Sequence, residues 1–151
     1  GHWVGFVGAG WESSFMRLFG NQEHRIAYFV DSTGTMLGRN FLNSIPEKLA
    51  SRFFDVLDSV AKAPPHKFAG GGYWERMHGD LSDLHEVRID DKAHRLHHRL
   101  FCIVDQEGDE PLLTVLCGAS KRVGTKLRTA DYERVATVRD EYLAGEPRSI
   151  A

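Results

Sequence analysis

The chain has 151 residues, a net charge of -2 and eight histidines. That length suits one domain with one core, and no apolar run is long enough to span a bilayer. The acidic balance excludes a domain-wide basic surface, so any nucleic-acid site must be local, with histidines able to add partial charge where they cluster.

The N-terminus shows no charged-then-apolar leader, which gives a cytoplasmic expectation with no membrane partner. Gly1-His2 reads as the remnant of a cleaved tag. Cys102 and Cys117 each sit in an apolar stretch, where a free thiol behaves as a small buried hydrophobe, so a structural disulfide is not favoured.

Residues 3–24 are Gly-rich and aromatic and read as an N-terminal extension, with Ser13 or Ser14 placed to cap a short helix that Gly20 ends. A domain over residues 25–145 follows, and residues 146–151 form a tail. Arg25 to Asp31 is a β-branched and aromatic run closed by the turn-prone Ser32-Thr33-Gly34, the pattern of a first strand. Ser44-Ile45-Pro46-Glu47 places a capping serine, a first-turn proline and a glutamate that completes a capping box. Ile45, Leu49, Phe53, Val56, Leu57 and Val60 then give a helix one apolar face, and Pro64-Pro65 halts it.

Beyond Gly70-Gly71-Gly72 the period becomes two. Three runs, Leu84 to Ile89, Arg95 to Val104 and Leu112 to Ala119, are separated by charged turns and predict an antiparallel meander. Thr129 as N-cap, Asp131, then Tyr132, Val135, Val138 and Tyr142 announce a last helix that stops at Gly145 before Pro147. The fold class is therefore α+β: a small antiparallel, mixed-edge sheet with N-terminal helices on one face, a C-terminal helix, and the other sheet face open.

Alternation puts Leu96, Leu100, Cys102 and Val104 on the helix side and Arg95, His97 and Arg99 on the other. In the preceding run Val87 and Ile89 are buried, which sets Glu86 and Arg88 beside that row. Guanidinium groups in a row suit phosphate, because each is a permanently charged planar fork of donors, and a histidine among them supplies a proton shuttle. Lys121, Arg122, Lys126 and Arg128 follow the third strand and extend the positive groove. Strand parity does not by itself put Lys121 on the open face, but a bulge at Gly118 would reset the phase.

Each feature also has a plainer reading. Glu86 and Arg88 form a cross-strand ion pair and the Arg-His-Arg row is an ordinary solvated face. His94, His97, His98 and Cys102 match no recognised zinc spacing, and a strand splits them between faces, so no metal or other cofactor is expected. Trp11 and Trp74 read as core or loop anchors.

With these residues in place, the chain resembles the RelE/HigB superfamily of bacterial toxins, in its phage-derived RelE-like branch. The family's opening strand and "FL..lP.k" helix resemble Arg25 to Asp31 and Phe41-Leu42-Asn43-Ser44-Ile45-Pro46-Glu47-Lys48. Its "L-x-E-L-R" strand resembles Leu84-His85-Glu86-Val87-Arg88, and its "y-R-v-x-y" strand resembles His98-Arg99-Leu100-Phe101-Cys102. Its "llhgf-x-K-K" strand end resembles Leu113 to Arg122, with Lys121-Arg122 on the basic positions. The stretch Val123 to Thr129 stands where that branch often carries Thr-Pro.

The resemblance implies a metal-independent endoribonuclease that cuts mRNA on the ribosome and is neutralised by a helix-turn-helix antitoxin. In that chemistry Arg88, Arg99 and Lys121 meet the phosphate charge, His97 is the acid or base, and Glu86 orients Arg88. Arg95, Arg122, Lys126 and Arg128 hold the RNA backbone. Two other readings stay open on the same fold: a non-catalytic regulator or inhibitor of a protein target such as gyrase, and a chain that only sequesters an antitoxin.

Overall fold

The computed structural model describes residues 23–63, 65 and 71–151. Residues 3–22 of the expected N-terminal extension, its capped helix, Trp11 and the Pro64 and Gly70 signals lie outside those residues, while His24, at the extension's end, is buried and donates its N–H to the Ala61 carbonyl at 2.8 Å. The elements run β1 (Arg25–Tyr28), α1 (Leu37–Ser44), α2 (Glu47–Lys62), β2 (Trp74–Arg76), a 3-10 turn (Gly79–Leu81), β3 (Leu84–Asp91), β4 (Leu96–Glu107), β5 (Glu110–Arg122) and α3 (Thr129–Ala144).

The fold is α+β. Five strands form one mixed sheet in the order β1-β5-β4-β3-β2. The three expected runs make the antiparallel centre β3-β4-β5. At one edge β1 runs parallel to β5, and at the other the short β2 pairs with β3. Backbone bonds between Tyr28 and Ala151, from Val30 to Ser149, and a Phe29–Ile150 bridge lay the C-terminal residues along the free side of β1.

One sheet face is apolar and carries α1 and α2: Leu42, Phe53, Leu57 and Val60 pack over Val87, Ile89, Leu100, Cys102, Leu113 and Val115. Close approach of α1 depends on two glycines. A methyl at Gly38 would meet Val115 Cγ1 at 2.5 Å, and one at Gly118 would run into the Phe41 ring.

Several local expectations need correction. Ser44 does not cap α2. It is the last residue of α1 and its hydroxyl donates to the Phe41 carbonyl at 2.6 Å, because the proline that follows Ile45 forces an extended break before α2 begins at Glu47. At α3 the cap position belongs to Arg128, whose backbone N–H donates to Asp131 at 3.1 Å, and Thr129 is the first helical residue.

The second sheet face is not open throughout. Helix α3 lays Val135, Val138 and Tyr142 on Phe101, Ile103 and Leu116, sealing one half. Tyr142 is fully buried, with its hydroxyl between Asp105 at 2.7 Å and Thr114 at 2.9 Å. Arg139 fastens the helix to the β2–β3 connection through Asp83 and the Asp80 carbonyl at 2.8 and 2.7 Å. Among the described residues, no helix lies over the half beyond Phe101, where the side chains turn charged.

Among the described residues no helix is long and apolar enough to cross a membrane. Cys102 packs with the α1/α2 core and Cys117 with the α3 core, so the two free thiols point to opposite sheet faces. Burial pushes the Cys117 thiol up to about 11, which leaves it protonated and inert.

Candidate functional site

The uncovered half-face is built by register. Arg88 and Arg99 are directly opposite on β3 and β4, as are Asp90 and His97, and on the next pair His97 faces Lys121. Lys121 reaches this face because β5 carries one extra residue: Phe101 pairs with Cys117 but Cys102 pairs with Val115, leaving Leu116 as the bulge. The phase is thus reset two residues before the expected position at Gly118. Glu86 completes the group from β3.

A cleft of about 600 Å³ opens here between the β2–β3 connection and the start of α3. Glu86, Arg88, Arg99 and Lys121 lie on its floor, while Arg76, Asp80, Leu127 and Tyr132 stand at its sides. Arg99 is the centre, with a side chain only 4% exposed. Its Nε lies 3.9 Å from Glu86, one Nη lies 3.6 Å from Asp90, and that same Nη donates to the His98 carbonyl at 3.0 Å. Arg88 is 43% exposed and lies 3.6 Å from Glu86, so it presents its guanidinium to solvent.

The electrostatics follow from burial. Desolvation raises the Glu86 carboxyl above the usual carboxylate range, against the pull of Arg99, Arg88 and Lys121. Burial also lowers Lys121, helped by the neighbouring Arg99. Two cations whose own charges are strained by desolvation and mutual repulsion favour an incoming anion, and a carboxyl poised above its ordinary range is suited to proton transfer.

The other expected site residues do not join this cleft. Arg95 is not a strand residue: it sits in the β3–β4 turn with φ 54°, exposed, its carbonyl accepting from Val123 N–H. The expected Arg-His-Arg row is therefore a pair. His97 lines a neighbouring cleft and binds Asp90 through Nδ1 at 2.5 Å. Arg122 and Lys126 are exposed and line neither cleft, and Arg128 pairs with Asp131 at 3.5 Å with 83% of its side chain free.

The histidines and cysteine that invited a metal reading do not converge. His94 binds Asp91 in the turn, His98 is buried on the α1/α2 face against Ser120, and among the described residues no acidic, His and Cys cluster has metal-holding geometry. Trp74 is an anchor: buried, its indole donates to the Pro65 carbonyl at 2.7 Å and stacks on His85.

Sequence reading missed the side walls of the cleft, Arg76, His78 and Asp80. Strand β2 has only three residues, too few to show a period. One signal was available for the half-closed face: Leu100 to Val104 is apolar at every position, the pattern of a strand buried on both sides.

Comparison of the chain with protein-family models, with curated proteins and with solved structures finds no match.

Proposed function

We propose that the chain is an endoribonuclease toxin that cuts mRNA on the ribosome and is held in check by a small helix-turn-helix antitoxin, as its resemblance to the RelE/HigB superfamily implies. The observation that carries this reading is the direct opposition of Arg88 and Arg99 on adjacent strands, with Lys121 and Glu86 beside them in one cleft. A backbone phosphate seated there meets an exposed guanidinium, a second one held in place by two carboxylates, and an ammonium. In the reaction a base removes the ribose 2′-OH proton, the oxygen attacks phosphorus, the bond to O5′ breaks, and an acid returns a proton to the leaving oxygen. The products are a 2′,3′-cyclic phosphate and a 5′-hydroxyl.

The geometry favours Glu86 over His97 as the proton acceptor. Glu86 lies in the cleft with the three cations, whereas His97 lines the neighbouring cleft. The test is expression in cells followed by mapping of RNA 5′ ends. New cuts within translated messages are expected from the natural chain, with losses of at least about 100-fold in Arg88→Ala and Glu86→Gln, the scale of a lost charge-stabilising or proton-transfer group. Full cleavage by both variants would reject the assignment.

One feature favours the non-catalytic reading. Charges lining the cleft nearly balance, with Arg76, Arg88, Arg99 and Lys121 against Glu75, Asp80 and Glu86. Arrested growth with intact messages would select that reading.

A further inference from the structure

A second cleft, of about 820 Å³, shares Arg88 and Arg99 with the first. Its walls come from the start of α2, the Gly71-Gly72-Tyr73 turn that enters β2, and the β3–β4 turn. The acids in it are already engaged: Asp90 binds His97 and faces Arg99, and Asp91 binds His94 at 2.7 Å. Lys48, Arg52 and Lys92 line the same cleft, and none of their side chains has an ion-pair or hydrogen-bond partner among the described residues. This side of Arg88 is therefore cationic in effect, unlike the balanced first cleft.

Tyr73 stands at its edge with 47% of the residue exposed. Its backbone is held, since its carbonyl accepts from the Arg88 N–H at 3.0 Å, and the two glycines before it take φ 60° and 91°, a turn that carries no side chain to shield the ring. An aromatic face that remains in water beside unpaired cations is the arrangement that receives a base and its phosphates, because stacking and charge act on adjacent parts of one nucleotide.

We infer that this second cleft is a subsite for an unpaired nucleotide flanking the phosphate held by Arg88 and Arg99, with Tyr73 stacking the base and Lys48 and Arg52 taking the backbone. The inference rests on the nuclease reading of the first cleft. Arg88, common to both clefts, is the point at which a strand passes from one to the other.

The experiment measures anisotropy of fluorescein-labelled, non-cleavable 2′-O-methyl uridine oligomers of two and five nucleotides with the full chain. The five-mer is expected to bind more tightly, and Tyr73→Ala to weaken it roughly 10-fold or more while Tyr73→Trp retains it, the effect of one stacked base. Lys48→Ala and Arg52→Ala should each lower the slope of log affinity against log salt by about 0.7, the loss of one phosphate contact on a single strand. Since all three side chains lie at the surface, unchanged melting temperatures will confirm that the variants fold.

Equal binding of the five-mer by wild type and Tyr73→Ala overturns the subsite, and if the natural chain still cuts messages, it leaves the nuclease reading standing. Failure to bind either oligomer together with failure to cut messages sinks both. A glutamate-rich peptide that binds where the RNA does not would make this a protein-docking surface and reject the inference.

Discussion

The two halves of the α3-side sheet face are made by the same three strands, yet they solve burial in opposite ways. Toward Tyr142, helix α3 supplies an apolar cover and the enclosed polar atoms are paired with each other: the tyrosine hydroxyl with Asp105 and Thr114, and Arg148 with Asp105 at 2.9 Å. Toward Arg99 no helix of the described residues lays an apolar cover, and an almost fully buried guanidinium is kept charged by two carboxylates at ion-pair distances longer than ideal. The first half is a satisfied core. The second holds charge in reserve, which stabilises little and is useful only if an anion arrives.

Substitutions that separate core from site sharpen this contrast. The largest effect on stability is expected at Phe53, fully buried on the inner face of α2 and edge-on to Phe41 with ring centroids 6.2 Å apart. Phe53→Ala should cost about 3–5 kcal/mol in urea unfolding. Arg99→Met should cost about 3 kcal/mol, because Glu86 and Asp90 would be left facing a neutral chain, and Glu86→Gln in the same molecule should recover part of it. A loss under about 1 kcal/mol for Arg99→Met would mean that the charged half is as well covered as the apolar one.

Acid should act next, through His98. Burial holds this imidazole below its ordinary 6.5 on the α1/α2 face, opposed in part by Asp91. The unfolded chain therefore takes up the proton first, so the histidine's contribution is fully present above pH 6.5 and is lost as pH falls through the lower folded value. Urea midpoints measured from pH 7.5 down to 5.5 should fall in the natural chain and flatten in His98→Gln. Identical profiles would assign the acid sensitivity elsewhere. The smallest effect is expected at Arg88: its exposed side chain faces Glu86 at 3.6 Å, and Arg88→Ala should change stability by less than about 0.5 kcal/mol, whatever it does to the proposed cleavage.

Strand parity put Glu86, Arg88, His97 and Arg99 on one face, and they are on one face, because side chains alternate whatever covers the sheet. It gave no depth. Arg88 and Arg99 are equivalent in pattern and opposite in register, but one is half in water and the other is almost wholly buried. Lys121 needed the bulge at Leu116, which no turn residue announces, and Arg95 left the strand because a tight turn placed it at positive φ.

Alternating residues and the breaks between them settled, from the chain alone, the three central strands, the long helices α2 and α3, and the side on which Glu86, Arg88, His97 and Arg99 lie, since these depend on a few neighbours along the backbone; α1 and the short β2 carried no such signal. Tertiary packing alone decided how far α3 extends over the second face, which arginine it leaves exposed, and where the two clefts meet. Those outcomes depend on contacts between residues far apart in sequence, such as Arg139 with Asp83 and Tyr142 with Asp105, which leave no period in the chain to read.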